Sequence, residues 1–249
     1  MELVILGSGT AIPSPRRGSP GLLVKAGGES LLFDGGSGAL RQLAKAGIRF
    51  TELDRVFYTH LHPDHTADLV PLLFALRNPD YPRSKPLRLF GPKGFRAFYE
   101  KLSAAYGEWV APRGYELSLE EVEEKAIEGE GLQVIPKPVK HIKGSVGYRV
   151  EAEGRSLAFS GDSAYCKALI DLGKGVDLLI LECSFPDEFP NPLHLTPSEA
   201  GQIAALSGCR RLLLTHFYPI CDTVNVLAQC RKTYSGEITL AEDLMRIIL

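Results

Sequence analysis

Short apolar runs that end at turn residues recur along the chain. The first are "LVIL" before Gly-Ser-Gly and the strand, turn and strand of "LLVKAGGESLLFDGG", followed by a helical pattern over "GALRQLAKAG". Later strand patterns lie in "GLQVIPKPVKH", "VGYRVEAEGRSLAFSGD", "DLLILECSF" and "RRLLLTH", and a further helix is predicted over "TPSEAGQIAALSG". This alternation of strand and helix patterns predicts an α/β fold.

The segment from residue 79 to 130 has a different pattern. It contains the proline-rich "NPDYPRSKP", the strand-like "LRLFG", the helix-like "GFRAFYEKLSAAYG" and the acidic "SLEEVEEKAIEGE". We interpret it as part of the fold with surface elaboration. The sequence shows no internal repeat, and we therefore predict one domain over residues 1–249.

Composition narrows the classes of function. The 249 residues are 45% hydrophobic, enough for a sizeable core, and the formal net charge of −2 gives no general attraction to nucleic acid or anionic membranes. Five cysteines without a CxxC pair suggest neither a disulfide framework nor a structural zinc knuckle, so reduced thiols in the cytoplasm are expected. The opening "MELVILGSGTAIP" lacks the pattern of a secretion signal, and no apolar run reaches the roughly 20 residues of a membrane span.

Ligand-type residues follow several of the predicted strands. Three of the six histidines lie in "YTHLHPDHTAD", from Tyr58 to Asp68. Four strand patterns end on a residue that can bind a metal: His60, His141, Asp162 and His216. Because ligands gather beyond the carboxyl ends of strands in open sheets, we expect these residues to converge on one edge. Imidazole and carboxylate groups suit zinc, and also manganese or iron.

The tight cluster itself predicts two adjacent sites. His60 and His62 can project toward one ion, whereas Asp64 and His65, past a turn at Pro63, can reach a second. A single histidine is more often a hydrogen-bonded core or surface residue than a ligand. The H-x-H-x-D-H spacing, combined with three further ligand-type residues that each follow an apolar strand, favours metal binding for the set.

These motifs resemble a known family. "THLHPDH" is similar to the signature of the metallo-β-lactamase superfamily, and "LGSGTAIP", "LLFDGG", "SGD" and "LTHF" resemble its other landmarks in order. The resemblance implies an αββα sandwich, with two mixed β-sheets flanked by helices and a dinuclear site at their edge. It also implies that His60, His62 and His141 hold one ion, that Asp64, His65 and His216 hold the other, and that Asp162 bridges them.

Individual residues place the chain within the superfamily. Asp162, where a cysteine is expected in β-lactamases proper, argues against that branch. The intact His62 and His65 argue against the oxygen-reducing diiron branch, where a carboxylate is expected in this cluster. "LLILECSF" and "HLTPSEAGQIAALSGCRRLLLTHF" resemble the closing half of ribonuclease Z and its phosphodiesterase relatives. In that group a histidine heading a helix assists catalysis at phosphate, and His194 occupies this place.

Two of these residues also have structural interpretations. His194 lies beside a helix-start signal, formed by Thr196, Pro197 and Glu199, that accounts for the local sequence without catalysis. Glu182, at the end of the preceding strand, either orients a histidine or is a structural carboxylate. The sequence alone leaves both pairs of alternatives open.

The chain departs from ribonuclease Z in three places. Only twenty residues separate His141 from Asp162, which leaves no room for the tRNA-gripping arm that most bacterial ribonucleases Z insert there. After His216 the sequence reads "FYPICD", where a serine and an arginine-tyrosine pair are expected in the nuclease, and Pro63 and Asp68 replace common glycines. These features resemble short, armless metal-dependent hydrolases, so tRNA processing is the less favoured hypothesis.

The sequence therefore predicts a dinuclear hydrolase, first of all a phosphodiesterase acting on a small anionic phosphodiester or nucleotide. Two divalent ions are expected, zinc first, with manganese or iron as alternatives. Asp64 would orient a water or take its proton, and His194 would neutralise phosphoryl charge or protonate the leaving oxygen. Lys137, Lys140 and Lys143 either attract the substrate or form a solvated strand face.

Three alternatives stay open. They are a tRNA 3′-processing endoribonuclease, a lactone or thioester hydrolase on the same metals, and a nucleic-acid-binding metalloprotein without catalysis. RNA is a less favoured partner, no membrane partner is expected, and the sequence is compatible with a homo-oligomer.

Overall fold

A computed structural model describes residues 1–249. Its strands are β1 (Glu2–Gly7), β2 (Gly21–Ala26), β3 (Glu29–Phe33), β4 (Arg55–Phe57), β5 (Leu87–Gly91), β6 (Leu117–Glu121), β7 (Ile127–Gly129), β8 (Leu132–Pro138), β9 (Val146–Ala152), β10 (Arg155–Phe159), β11 (Leu178–Glu182), β12 (Arg211–Thr215), β13 (Glu237–Leu240) and β14 (Arg246–Ile248). Its helices are α1 (Ala39–Lys45), α2 (Pro63–Thr66), α3 (Leu69–Ala75), α4 (Phe95–Tyr106), α5 (Lys167–Leu172), α6 (Pro197–Ser207) and α7 (Val226–Cys230). Three 3₁₀ segments cover Phe50–Glu52, Gly107–Val110 and Pro219–Thr223.

The strands form two seven-stranded sheets. The first has the order β14-β1-β2-β3-β4-β5-β6, and the second has the order β13-β12-β11-β10-β9-β8-β7. Each sheet is antiparallel at one side and parallel at the other: β3 to β6 run parallel, as do β10 to β13. The predicted sandwich of two mixed sheets with flanking helices is confirmed.

The inner strands of the first sheet are buried on both faces. In β1, Leu3 and Ile5 point into the core between the sheets, whereas Val4 and Leu6 pack with the outer layer of α1, α3 and α4. Strands covered on both faces become near-continuous apolar runs. This explains why "LVIL" shows no alternation of polar and apolar residues.

An aromatic column joins the two sheets beneath the histidine cluster. Phe33, Phe57 and Phe90 stack across three neighbouring strands, with ring centroids 4.9 and 4.7 Å apart. Tyr148 of the second sheet meets the first two rings at 5.5 and 5.4 Å, and its hydroxyl donates to the Tyr58 carbonyl at 2.8 Å. The sheets are thus fixed against each other two residues before His60.

The compositionally distinct segment 79–130 contributes to the first sheet. Strands β5 and β6 extend its parallel side, and α4 packs against both strands. The acidic stretch at the end of the segment supplies β6 and the short edge strand β7 of the second sheet. All five cysteines are free thiols. None of the helices has the length and apolar character that crossing a membrane requires.

Candidate metal centre

The structure brings together the seven residues predicted as metal ligands. Four of them lie one to three residues beyond the carboxyl ends of β4, β8, β10 and β12: His60, His141, Asp162 and His216. The other three, which are His62, Asp64 and His65, lie at or near the start of α2. That helix begins at Pro63, with His62 as the preceding N-cap residue, so the predicted turn is the first turn of a helix. Proline suits this position because the first helical N–H has no partner within the helix.

One group of nitrogen atoms converges on one oxygen of Asp162. His60 Nε2 lies 3.0 Å from His62 Nδ1, which lies 3.4 Å from His141 Nε2. Asp162 Oδ2 is 3.8 Å from both His60 Nε2 and His141 Nε2. The ligand atoms of these four residues all lie within 4.8 Å of one another, close enough to share one ion.

A second group faces the other oxygen of Asp162. His65 Nε2 and His216 Nε2 are 3.4 and 3.3 Å from Asp162 Oδ1, and Asp64 Oδ2 is 3.8 Å from each of these nitrogens. Asp162 thus turns one oxygen toward each group. This is the arrangement that a carboxylate shared by two ions needs.

Three buried atoms at the centre of this cluster have no hydrogen-bond partner: His65 Nε2, Asp162 Oδ1 and His216 Nε2. Buried polar atoms are nearly always paired, so three unpaired atoms that face one another need an explanation. Coordination of a cation satisfies all three. Imidazole nitrogens and carboxylate oxygens are ligands for zinc, manganese and iron, and these residues fit such ions.

The two ligand groups differ in the ionisation of their histidines. Burial lowers the pKa of His60 to about 2 and also lowers that of His62, so both rings are neutral and present a lone pair. Burial raises the pKa of Asp64, but the neighbouring His216 ring outweighs it and, with His65, holds this pKa at about 2. Burial likewise disfavours the charged form of His65, yet the negative charges of Asp162 and Asp34 raise its pKa well above its ordinary value. The second group therefore favours positive charge.

Asp34 supports both groups and was not predicted from the sequence. It is fully buried after β3, with φ of 56°, and its Oδ2 accepts from His65 Nδ1 at 2.8 Å. The Thr59 hydroxyl donates to Asp34 at 2.9 Å and lies 3.0 Å from His60 Nδ1. One carboxylate thus orients a histidine in each group, as outer partners do in metal sites. The available signal was an aspartate that ends a buried strand in "LLFDGG".

Glu182 supports the opposite side of the centre. Its Oε1 lies 2.8 Å from His194 Nδ1, and its Oε2 accepts from the Ser184 hydroxyl at 2.6 Å. That hydroxyl lies 2.9 Å from His216 Nδ1. The side chain of Glu182 is buried and also accepts from two backbone N–H groups, so it is held in place. It contacts one histidine directly and a second through Ser184.

His194 lies beside the cluster. Its ring offers a nitrogen within 4.8 Å of ligand atoms of Asp162 and His216. Since Nδ1 pairs with Glu182, Nε2 is the nitrogen without a protein partner. Burial lowers the pKa of His194, but the hydrogen bond to Glu182 and that carboxylate's charge outweigh it, so the net pKa is raised. This favours a protonated ring that can donate toward the centre.

The helix-start signal next to His194 is satisfied without it. Thr196 caps α6 by accepting from Glu199 N at 3.3 Å, and the Glu199 carboxylate accepts from Thr196 N at 2.9 Å. This reciprocal pair is the capping box expected from the sequence. The cap therefore accounts for Thr196 and Glu199 but not for the position of the His194 ring.

Comparison with known proteins agrees with this geometry. Residues 29–217 match the family model described as "Beta-lactamase superfamily domain". The chain belongs to this superfamily. It is 28% identical over 278 residues to Ribonuclease Z of Mycobacterium marinum, which covers 99% of this chain and 98% of the relative.

Two solved structures are similar over nearly their whole length. The metallo-β-lactamase fold protein YhfI from Bacillus subtilis has a TM-score of 0.85 at 24% identity, covering 99% of this chain and 98% of that one. Human tRNase Z, short form, has a TM-score of 0.78 at 29% identity, covering 100% and 99%. The resemblance drawn from "THLHPDH" is confirmed. The chain is a ribonuclease Z-like, metal-dependent hydrolase, which removes the hypothesis of a metalloprotein without catalysis.

Proposed function

We propose that this hydrolase is a phosphodiesterase that acts on a small phosphodiester or nucleotide. The observation that carries the proposal is His194, held by Glu182 at 2.8 Å and placed beside Asp162 and His216. Cleavage of a phosphate ester develops charge on the phosphoryl oxygens and on the leaving oxygen. A fixed donor next to the ligand cluster can neutralise the charge on the phosphoryl oxygens or protonate the leaving oxygen.

We further propose how the ligands divide. His60, His62 and His141 would hold one divalent ion, Asp64, His65 and His216 a second, and Asp162 would bridge them; zinc is the first candidate, before manganese and iron. When bound, two such ions lower the pKa of a water molecule and polarise the phosphoryl group. Asp64, whose pKa is held at about 2, stays a carboxylate that can orient the water or accept its proton.

Charge at the rim of the centre supports an anionic substrate. Lys140 and Lys143 flank His141, are exposed, and form no ion pair. Lys137 differs because its ammonium lies 3.9 Å from the Asp171 carboxylate, which offsets part of its charge. Two of the three lysines predicted near His141 are therefore free to attract a phosphate.

A second candidate is tRNA 3′ processing, because Ribonuclease Z of Mycobacterium marinum and human tRNase Z are similar over nearly their full lengths. Two features weigh against it. The connection between β8 and β9 has only the seven residues 139–145, and the net charge of the chain is −2. Lactone or thioester hydrolysis on the same metals is the other alternative, since fold and ligands do not fix the bond that is cleaved.

A panel of substrates tests the proposal. Protein loaded with zinc or manganese would be assayed with bis(4-nitrophenyl) phosphate, a thioester, a lactone and a precursor tRNA, with metal content measured on the same samples. We expect the highest kcat/KM for the phosphodiester among the small substrates and only weak activity on precursor tRNA. Accurate 3′ cleavage of the tRNA at physiological salt would favour the second candidate. Faster turnover of the lactone or thioester would overturn phosphodiester specificity.

A further inference from the structure

Two aromatic rings lie beside the metal centre without being ligands. Phe185 and Tyr218 stack with ring centroids 4.7 Å apart and planes 24° apart, and both residues are partly exposed. Phe185 is 5.7 Å and Tyr218 is 6.0 Å from the His194 ring, measured between centroids. Tyr218 is also 6.1 Å from His216. The pair therefore forms an aromatic wall next to the candidate acid.

The backbone holds this wall in place. Phe185 follows Ser184, whose hydroxyl belongs to the buried hydrogen-bond network of Glu182. The Cys221 thiol lies 3.2 Å from the Ser184 carbonyl, and Cys221 N donates to the Tyr218 carbonyl at 2.9 Å. The segments that carry the two rings are thus tied together. A wall that is ordered before a ligand binds loses little conformational entropy on binding.

The Tyr218 hydroxyl is available to a ligand. It donates to and accepts from no group of the protein, in contrast to the Tyr148 hydroxyl, which donates to Tyr58. A phenol can donate one hydrogen bond and accept others. The ring therefore offers both an apolar face and an unused polar edge beside the centre.

We propose that Phe185 and Tyr218 form a subsite for a planar aromatic ring of the substrate, so that the phosphodiester carries a nucleobase. This inference rests on the proposed function. A ribose separates the base of a nucleotide from its phosphate, which suits a wall beside the ligand cluster and not within it. Stacking tolerates every base because each has a π-face, so the subsite selects a nucleoside without reading its sequence.

Binding of two matched ligands tests the subsite. Adenosine 5′-monophosphate and ribose 5-phosphate carry the same phosphomonoester and differ by the base. Isothermal titration of zinc-loaded protein should give a Kd for adenosine 5′-monophosphate that is roughly 5- to 150-fold lower, which is the range for stacking one base. Equal Kd values for the two ligands would overturn the proposal before any variant is made.

Variants then locate the effect. Phe185→Ala and Tyr218→Ala should bring the ratio of the two Kd values toward one, whereas Tyr218→Phe, which keeps the ring, should preserve it. Phe189→Ala is the matched control, because Phe189 lies in the same loop, is 58% exposed and pairs with no other ring. Loss of the ratio in Tyr218→Phe would assign the preference to the hydroxyl and contradict stacking.

The ratio of the two Kd values tests the subsite, and the hydrolysis assays test the proposed reaction, so either hypothesis can be contradicted without the other. If bis(4-nitrophenyl) phosphate is hydrolysed but the two ligands bind equally, the proposed function stands and the subsite is wrong. If no phosphodiester is hydrolysed, yet the base strengthens binding in a way that depends on Phe185 and Tyr218, the subsite stands and the proposed reaction is wrong.

Discussion

Asp162 is the residue on which both ligand groups depend. Its two oxygens face different sets of histidines, so its loss should affect both ions at once. We expect about two divalent ions per chain in the unaltered protein. Asp162→Ala should lose more bound metal than any other single ligand variant. Elemental analysis after loading with zinc or manganese measures this.

Asp68 offers a matched control for Asp162. Its carboxylate accepts from the N–H groups of Gly38 and Leu40 at the start of α1 and belongs to neither ligand group. Asp68→Ala should therefore cost stability while leaving the metal content unchanged. Full metal content and near-normal turnover in Asp162→Ala would show that the bridge is assigned to the wrong residue.

Glu182 pairs with His194 at 2.8 Å, and this predicts a pH dependence. A group that donates a proton works below its pKa, so the rate falls as pH rises through that pKa. Because the carboxylate raises the pKa of His194, Glu182→Gln should shift the alkaline limb of the kcat–pH profile to lower pH. An unshifted limb, measured in metal-loaded protein, would show that His194 does not act as the acid.

Close packing explains the glycine that precedes Asp162. Gly161 has φ of 57°, and a Cβ at this position would lie 2.6 Å from the Cβ of Thr59. Any side chain would therefore displace either Asp162 or the threonine that links His60 to Asp34. The sequence "SGD" is thus the consequence of close contact between the two sheets at the centre.

At the scale of elements, strand ends and the start of α2 place the ligands, and His194 lies just before the start of α6. Thr196 and His194 are two residues apart but have separable roles. Thr196→Ala removes the cap of α6 and should cost about 0.5–2 kcal/mol of stability with little effect on the rate. His194→Ala should leave metal content intact and lower kcat for a phosphodiester roughly 10²- to 10⁴-fold.

Denaturant unfolding and steady-state kinetics on both variants separate these roles. If protonation of the leaving oxygen is the main role of His194, the loss should shrink for a nitrophenolate leaving group, which departs without a proton. A uniform loss would indicate charge stabilisation. If His194→Ala instead loses stability but not rate, as expected for Thr196→Ala, the residue is structural and the phosphodiesterase proposal loses its main support.

At the scale of the whole molecule, local patterns predicted an α/β fold and the ligand cluster, because each ligand lies in one motif or just after an apolar strand. The sandwich itself followed from the resemblance to the superfamily. Asp34 also directly follows a buried strand, but its contacts with the ligand residues could not be predicted from that local signal. Its bonds to Thr59 and His65 span 25 and 31 residues and exist only because β3 and β4 pair in parallel, which brings Phe33 beside Phe57. The Phe185–Tyr218 stack likewise joins residues from two strand ends that the sequence separates widely.

The net charge of the whole chain and its short β8–β9 connection predict weak binding of RNA. A net charge of −2 gives little general attraction to a polyanion, and the seven residues 139–145 leave no extended arm to grip tRNA. We expect kcat/KM for small diesters to exceed that for precursor tRNA. Any RNA binding should weaken steeply with salt, since it would depend on phosphate contacts.

Exposed lysines provide the variant for this prediction. If Lys140 and Lys143 both contact phosphates, the double variant Lys140→Ala/Lys143→Ala should bind RNA with a weaker salt dependence. The slope of log K against log salt concentration should fall in magnitude by about two. Lys125→Ala, which removes one positive charge within the acidic stretch between β6 and β7, serves as control. Fluorescence anisotropy with labelled precursor tRNA across a salt series measures the slope. Tight binding that persists at physiological salt, with the slope unchanged in the double variant, would mean that a surface other than the rim around His141 recognises RNA.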